Sequence, residues 1–418
     1  MNFILGFGIS SLGFIKGFGA KNLKILEKNS YNGGHAYSHQ LKEFFFDEGT
    51  HILHSKNKFF LKLLLKNKKY ISKSSKVLNF KDGQWFKYPV QNNLLNFKNK
   101  IDYLTSFLVR NTKKIENNYH DWCLSAYGDE ITSKFYKIYT KKYWNKDLKI
   151  LDTSWLPGRV FKAEDKQVIK NTFFSNKETV STFNEFKYPK KFGFYGFFKP
   201  EFKKYENIVE NEIVIKKINQ KKRTIYYNKK EHAYENIYSS IPLHELKKII
   251  KFPKDITRSI DALEFTSLYT INIIIKNKSF KFSHDWNYLY DKKSKISRVS
   301  ILNNINKKKK LKKIALQAEI FVLGGKKKKV NFTRELKHLA KVFDFKINDI
   351  TDYKIKFVKY SYVISKNTNF KNVKKIKDYL NKYKIYPFGL YGDWQYYWSD
   401  QAYLKGMKLG SQLAKKKS

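Results

Sequence analysis

Phe3-Ile4-Leu5-Gly6-Phe7-Gly8-Ile9-Ser10-Ser11 opens a stretch that closes on Leu23-Lys24-Ile25-Leu26-Glu27. A short apolar run, a glycine turn, an amphipathic segment and a second apolar run ending in a carboxylate read as strand, turn, helix, strand. Gly6 can take the dihedral angles of the turn, and Gly8 lets the backbone approach a pyrophosphate. A helix opening at Ile9 offers free N–H groups to phosphate oxygens. Glu27 lies about 20 residues beyond the turn, where a carboxylate accepts hydrogen bonds from a ribose diol. Ser11 replaces the third glycine of G-x-G-x-x-G and is still small enough for the helix to pack closely on the strand. The pattern predicts a bound dinucleotide. Ordinary loop glycines are the alternative, and Asn32-Gly33-Gly34-His35 weighs against it, because a second glycine turn keeps side chains clear of the same ligand.

Glu27-Lys28-Asn29-Ser30-Tyr31-Asn32-Gly33-Gly34 resembles the acidic residue, spacer and paired glycine of the FAD-dependent amine oxidase, protoporphyrinogen oxidase and UDP-galactopyranose mutase superfamily. The resemblance implies FAD as cofactor. It also implies an α/β fold: a discontinuous Rossmann-like FAD-binding domain from residues 1–75, 200–252 and 375–418. An inserted mixed α+β substrate domain would come from residues 76–199 and 253–374.

Other motifs carry the resemblance further along the chain. Tyr139-Thr140-Lys141-Lys142-Tyr143-Trp144 is similar to the Y-T-x-K-x-W element of the mutases, which implies that Tyr139 and Trp144 line a substrate pocket. Large rigid rings suit a nucleobase or sugar face, although in a chain that is 17% aromatic the residues alone, without the resemblance, favour core packing for both. Arg159, in Trp155-Leu156-Pro157-Gly158-Arg159-Val160, is a candidate clamp for a diphosphate or carboxylate. Arginine is scarce here beside lysine, so each one is telling. Trp85 to Leu94 resembles a Y-P-x-Q-N element of the group. In Gly49-Thr50-His51-Ile52-Leu53-His54, similar to a G-x-H-x-x-H stretch of the mutases, the resemblance places His51 at the flavin face. A neutral imidazole there could bond the ring or relay a proton, which makes His51 the one catalytic candidate.

The closing block, Tyr391-Gly392-Asp393-Trp394 through Ser399-Asp400-Gln401-Ala402 and on to Gly406, is similar to the last FAD motif of the group. A helix capped by Ser399 or Asp400 would direct its N-terminus at the flavin. The cofactor set implied by the resemblance therefore begins with Gly6, Gly8, Ser11, Glu27 and Lys28. It continues through Gly33, Gly34, His35, Gly49, His51 and Val214, and ends with Gly392, Asp393, Asp400, Gln401 and Ala402. Tyr139, Trp144, Arg159 and Trp394 form the implied substrate set. Two departures matter. Gly389-Leu390 stands where mutases have Gly-Arg, and Ser239-Ser240-Ile241-Pro242-Leu243 looks like the oxidase-type members.

At 418 residues the chain is long enough for two domains with buried cores. Its net charge of +49 suggests an anionic partner, yet the lysines are spread among Asn, Ile, Phe and Tyr as a codon bias would spread them. The densest runs, Lys307 to Lys313 and Lys326 to Lys329, read as solvated loop tips, with peripheral contact to an anionic membrane as the alternative. They lack the interleaved aromatics of single-strand binders, which argues against nucleic acid as a partner. Cys123, the only cysteine, rules out an intrachain disulfide. His51 and His54 lack a third ligand at recognisable spacing, so no metal is expected. No segment approaches the roughly 20 apolar residues of a membrane helix, and a cleaved leader would remove the first strand. A cytoplasmic location is the expectation.

The apolar spacing predicts helices over 100–109, 122–137, 332–342 and 372–383, and strands at 44–46, 212–215, 238–241 and 269–275. It predicts a hairpin through 285–296 and a mixed element at 317–323. The resulting expectation is an FAD-dependent oxidoreductase acting on a small molecule. The alternative is a mutase-like flavoenzyme that isomerises a nucleotide sugar without net redox. A noncatalytic basic protein on the flavin fold ranks last, because the cofactor motifs are intact.

Overall fold

A computed structural model describes residues 1–174, 185–276, 280–307, 312–325 and 327–415. Strand Asn2–Leu5, buried along its whole length, lies between Leu23–Leu26 and Asn236–Ser239. Val209–Glu210 and Ile385–Pro387 extend the sheet on either side, and every pairing is parallel. Full burial is what a parallel strand covered on both faces requires. One cover is helix Ile9–Phe18, which packs against the C-terminal helix Ser399–Lys415 backbone to backbone. A Cβ at Gly13 would lie 2.0 Å from the Tyr403 carbonyl oxygen, and one at Gly406 2.1 Å from that of Ser10. The opposite cover is an antiparallel meander of Lys217–Asn219, Thr224–Tyr227 and Lys230–Ala233, whose Tyr227 meets the Phe3 ring edge-on at 6.2 Å.

A second sheet has seven strands in the order Ile350–Val358, Thr266–Lys276, Lys313–Leu323, Arg298–Ile301, Trp286–Leu289, Val77–Lys81 and Gln84–Lys87. All neighbours are antiparallel except Trp286–Leu289 with Val77–Lys81. Tyr269, Ile271, Ile273 and Ile275 pack with helix Phe332–Val342 through Leu339 and Val342. Leu268 turns to the opposite side, into a core with Phe107, Tyr127 and Phe135 of the helical layer, as the two-residue strand period demands. This is the α/β class expected from sequence, with a parallel nucleotide-type sheet beside a mixed one.

Residues 185–189 pair with strand Tyr70–Ser74, and Phe194, Phe197 and Phe198 share a core with Ile4 and Phe7. Helix Lys254–Asp261 packs on Asn369–Asn381.

Three local expectations are corrected. Residues 212–215 are not a strand: Glu212 has φ 61°, and Ile213 N–H donates to the Glu27 carbonyl at 2.9 Å, hooking the segment onto the end of the second strand. The 122–137 helix is broken at Gly128 (φ 76°), where a Cβ would stand 2.2 Å from the Ser106 carbonyl. It resumes through a π-turn at Thr132–Tyr136, a form that recurs at functional sites. Residues 317–323 belong to a regular strand, Lys313–Leu323. The middle of the first lysine run, 308–311, and Lys326 lie outside the described residues. Among the described residues no helix is long and apolar enough to cross a membrane.

Candidate functional site

A cavity of about 1120 Å³ runs between the two sheets. Pockets for one small molecule span roughly 300–1,000 Å³, so this one has room for a cofactor with a second ligand.

Glu27 marks the first end. Its Oε2 accepts from Phe7 N–H at 2.8 Å, and its Oε1 from the Asn29 amide at 2.8 Å and side chain at 2.9 Å. Burial pushes the carboxyl up, and these donors work against that. Lys28 and Val214 also lie on this part of the wall.

The glycine turns form the waist. Gly33 N–H donates to the Phe7 carbonyl at 2.8 Å, which closes a bridge between Gly8 and Gly33. Helix Ile9–Phe18 has no side-chain cap, so its first-turn N–H groups are open to a ligand. A Cβ at Gly8 would find no protein atom nearer than the Gly33 oxygen at 3.9 Å; the space in front of it belongs to the cavity. A Cβ at Gly6, by contrast, would meet Ser240 Oγ at 2.9 Å. Ser11 lies off the wall and pins the turn, donating to the Gly6 carbonyl at 2.8 Å.

The far end is a tyrosine chamber. Tyr139 meets Tyr288 edge-on at 5.3 Å and stacks with Tyr143 at 5.4 Å, while Tyr143 stacks with Tyr362 at 5.1 Å. Trp144 touches the chamber but is only 2% exposed, packed among Trp155, Tyr362 and Tyr396, so it is chiefly a core residue. The Arg159 guanidinium lies 4.3 Å from the Tyr396 ring centroid and donates to the Tyr396 carbonyl at 2.6 Å. Arg298, which sequence reasoning passed over, is largely enclosed here. Its Nε and Nη2 hold both carboxylate oxygens of Glu319 at 3.0 and 2.8 Å. Glu319 also accepts from Thr50 N–H at 2.7 Å, tying the loop beside His51 to the seven-stranded sheet.

His51 lies on the wall, stacked on Phe194 at 5.3 Å, with Nδ1 3.0 Å from the Gly49 carbonyl. Burial pulls its pKa down, so at neutral pH the ring is uncharged. Donation from Nδ1 leaves Nε2 as an acceptor. His54 is on the wall too, with Nδ1 3.1 Å from the Glu185 carbonyl and its ring 5.2 Å from that of Trp398.

His35 and Ala402 are on the wall as well. The rest of the C-terminal set stands behind it. Asp400 accepts from Ser55 Oγ at 2.5 Å and from the first-turn Gln401 N–H at 2.8 Å, and the Gln401 side chain reaches back to Trp398 N–H at 2.9 Å, so Asp400 and Gln401 together satisfy N–H groups at the helix start. Asp393 pairs with Lys377, Gly392 packs on Pro387, and Gly49 packs on Leu268. Trp394 is off the wall because its ring is buried against His244, 5.3 Å away, and Phe265.

That burial gives a pH prediction. His244 is pushed down to about 4, whereas an unfolded histidine titrates near 6.5. Below about pH 6.5 the unfolded chain takes up a proton that the folded chain refuses, so stability falls with pH. At pH 4 the His244 share is on the order of 3 kcal/mol. Urea unfolding at pH 7 and pH 4 should show this loss, and His244→Gln should lessen it; equal slopes for both proteins would contradict the assignment.

No protein-family model matches the chain, and no curated protein matches it. Solved structures do. Reduced UDP-galactopyranose mutase superposes with a TM-score of 0.88 at 19% identity, over 99% of this chain and 93% of that one. A putative protoporphyrinogen oxidase from Exiguobacterium sp. 255-15 gives 0.76 at 11% identity, over 99% and 98%. The chain has the mutase and amine oxidase fold. Cyclohexylamine oxidase from Brevibacterium oxydans shares it with a TM-score of 0.67 at 11% identity, over 99% and 98%. Within this fold, one cavity links a dinucleotide-type cradle to an aromatic chamber.

Proposed function

We propose that the chain is an FAD-dependent oxidoreductase acting on a small molecule held in the tyrosine chamber. The observation that carries this is the unobstructed passage from Glu27, over Gly8 and the uncapped helix N-terminus, to His51 and the tyrosines. FAD bound along it would supply a two-electron acceptor ring at the chamber's edge.

The chain's own residues would do the rest. Glu27 and the glycine turns orient the nucleotide, and the packed rings of Tyr139, Tyr143, Tyr288 and Tyr362 exclude water. His51 Nε2 can accept a proton from substrate, since its imidazole is neutral.

A second activity is favoured by one observation. Arg159 faces no carboxylate among the described contacts, and a guanidinium without a carboxylate partner in an aromatic chamber suits an anionic substrate better than a protonated amine. That points to a nucleotide sugar and to redox-neutral isomerisation. The two are separated by adding nucleotide sugars to protein carrying chemically reduced FAD, with no electron acceptor. The oxidoreductase reading predicts no turnover; isomerised sugar formed over many cycles, with the flavin reduced at the end, would replace it with the second.

A further inference from the structure

One acidic side chain in the cavity wall is outnumbered by bases. Glu48 Oε2 lies 2.7 Å from His35 Nδ1, and its Oε1 lies 2.5 Å from Lys356 Nζ and 3.4 Å from His39 Nε2. Lys356 also contacts His39 directly. His35 Nε2 lies 2.9 Å from the Tyr391 hydroxyl, which sits 3.0 Å from the Ser361 carbonyl. His35, Glu48, Lys356 and Tyr391 all line the cavity, and His35 follows Gly34, whose Cβ position is 3.4 Å from Gly8 Cα.

Burial pushes the Glu48 carboxyl up, but the bond from His35 and the neighbouring His39 and Lys356 outweigh it and hold the carboxyl well below the usual range. Glu48 is therefore a full negative charge at neutral pH. Its partner in charge is the Lys356 ammonium.

Hydrogen bonding assigns the roles. Both ring nitrogens of His35 are engaged by protein groups, so His35 contributes rigidity, not a free donor. An ammonium has three protons. Among the described residues, Glu48 and His39 take two from Lys356, and the third is free for a cavity ligand. Lys356 comes from strand Ile350–Val358 at the edge of the seven-stranded sheet, opposite Thr270, so it reaches the nucleotide cradle from the other half of the molecule. Tyr391, which braces His35, is next to Leu390.

We propose that Lys356, held by Glu48 and His39 and backed by His35, binds a phosphate group beside the Gly8–Gly34 waist. In this role it supplies the positive charge that Leu390 does not. The inference rests on the proposed function. The phosphate belongs either to the FAD pyrophosphate or to a nucleoside diphosphate in the chamber, and two titrations tell these apart.

Lys356→Gln removes the charge, and Lys356→Arg keeps it. Lys356→Met is a second charge-free variant that retains the methylene stem. Folding of each is checked by its urea midpoint. Apoprotein is titrated with FAD, and FAD-loaded protein with UDP, at low and high salt. A charge-assisted hydrogen bond predicts affinity about tenfold to a hundredfold weaker for the charge-free variants, near-parental for Lys356→Arg, with a shallower salt dependence. A loss in the FAD titration places the phosphate on the cofactor; a loss with UDP alone places it on the substrate. Parental affinity of the charge-free variants for both ligands overturns the inference, as does equal weakening by Gln and Arg. Parent protein that binds no FAD would overturn the proposed function and this inference together.

Discussion

Gly8→Val protein is expected to fold and unfold like the parent in the absence of cofactor, yet to bind FAD at least about a hundredfold more weakly. Gly8 has φ −99° and ψ −171°, extended backbone that valine adopts readily, and the nearest protein atom to a Cβ there is 3.9 Å away. Nothing in the apoprotein opposes the side chain. Its branched methyls would instead fill the space where a pyrophosphate meets the helix N-terminus, a loss of about 2.7 kcal/mol or more. Urea midpoints of the apoproteins and FAD titration together test this. Parental affinity in Gly8→Val would show that the cofactor does not lie over the turn.

Gly13→Ala should do the reverse, destabilising the molecule with one methyl group. Helix propensity alone favours alanine by about 0.8–1.0 kcal/mol, so an exposed site would gain stability. Here the Cβ would lie 2.0 Å from the Tyr403 oxygen and 2.8 Å from its carbonyl carbon, and both are backbone atoms that cannot rotate away. The two terminal helices must separate, also losing the close fits at Gly17, Gly406 and Gly410. Overpacking costs about 1–3 kcal/mol where side chains can adjust, and a backbone clash belongs at or above that upper end. A net loss of at least about 2 kcal/mol in urea unfolding is expected, and parental stability would mean that the helices are not in this contact.

The opening βαβ unit was legible because its signals are local. Glycines, strand runs and the carboxylate lie within about thirty residues, and each has a conformational reason for its place. The four glycines of the helix pair were visible too, spaced four apart as 13 and 17, then 406 and 410, but neither pair shows alone that it faces the other. Arg298 was missed for a related reason. Its importance comes from Glu319 and from a chamber whose tyrosines are drawn from residues 139 to 362, contacts that no window of sequence contains. The chain holds only six arginines, and the scarcity argument applied to Arg159 would have singled out Arg298 as well. Trp394 was misplaced because an aromatic beside a cofactor motif carries no sign of which way its ring turns.

The central claim is that this cavity holds FAD. The most direct measurement is to unfold the purified protein, release any flavin, identify it and count it per chain, then repeat after incubating the protein with excess FAD and removing what is unbound. The account predicts FAD approaching one per chain, and none in Gly8→Val treated the same way. Folded parent protein that neither carries FAD nor takes it up would contradict it.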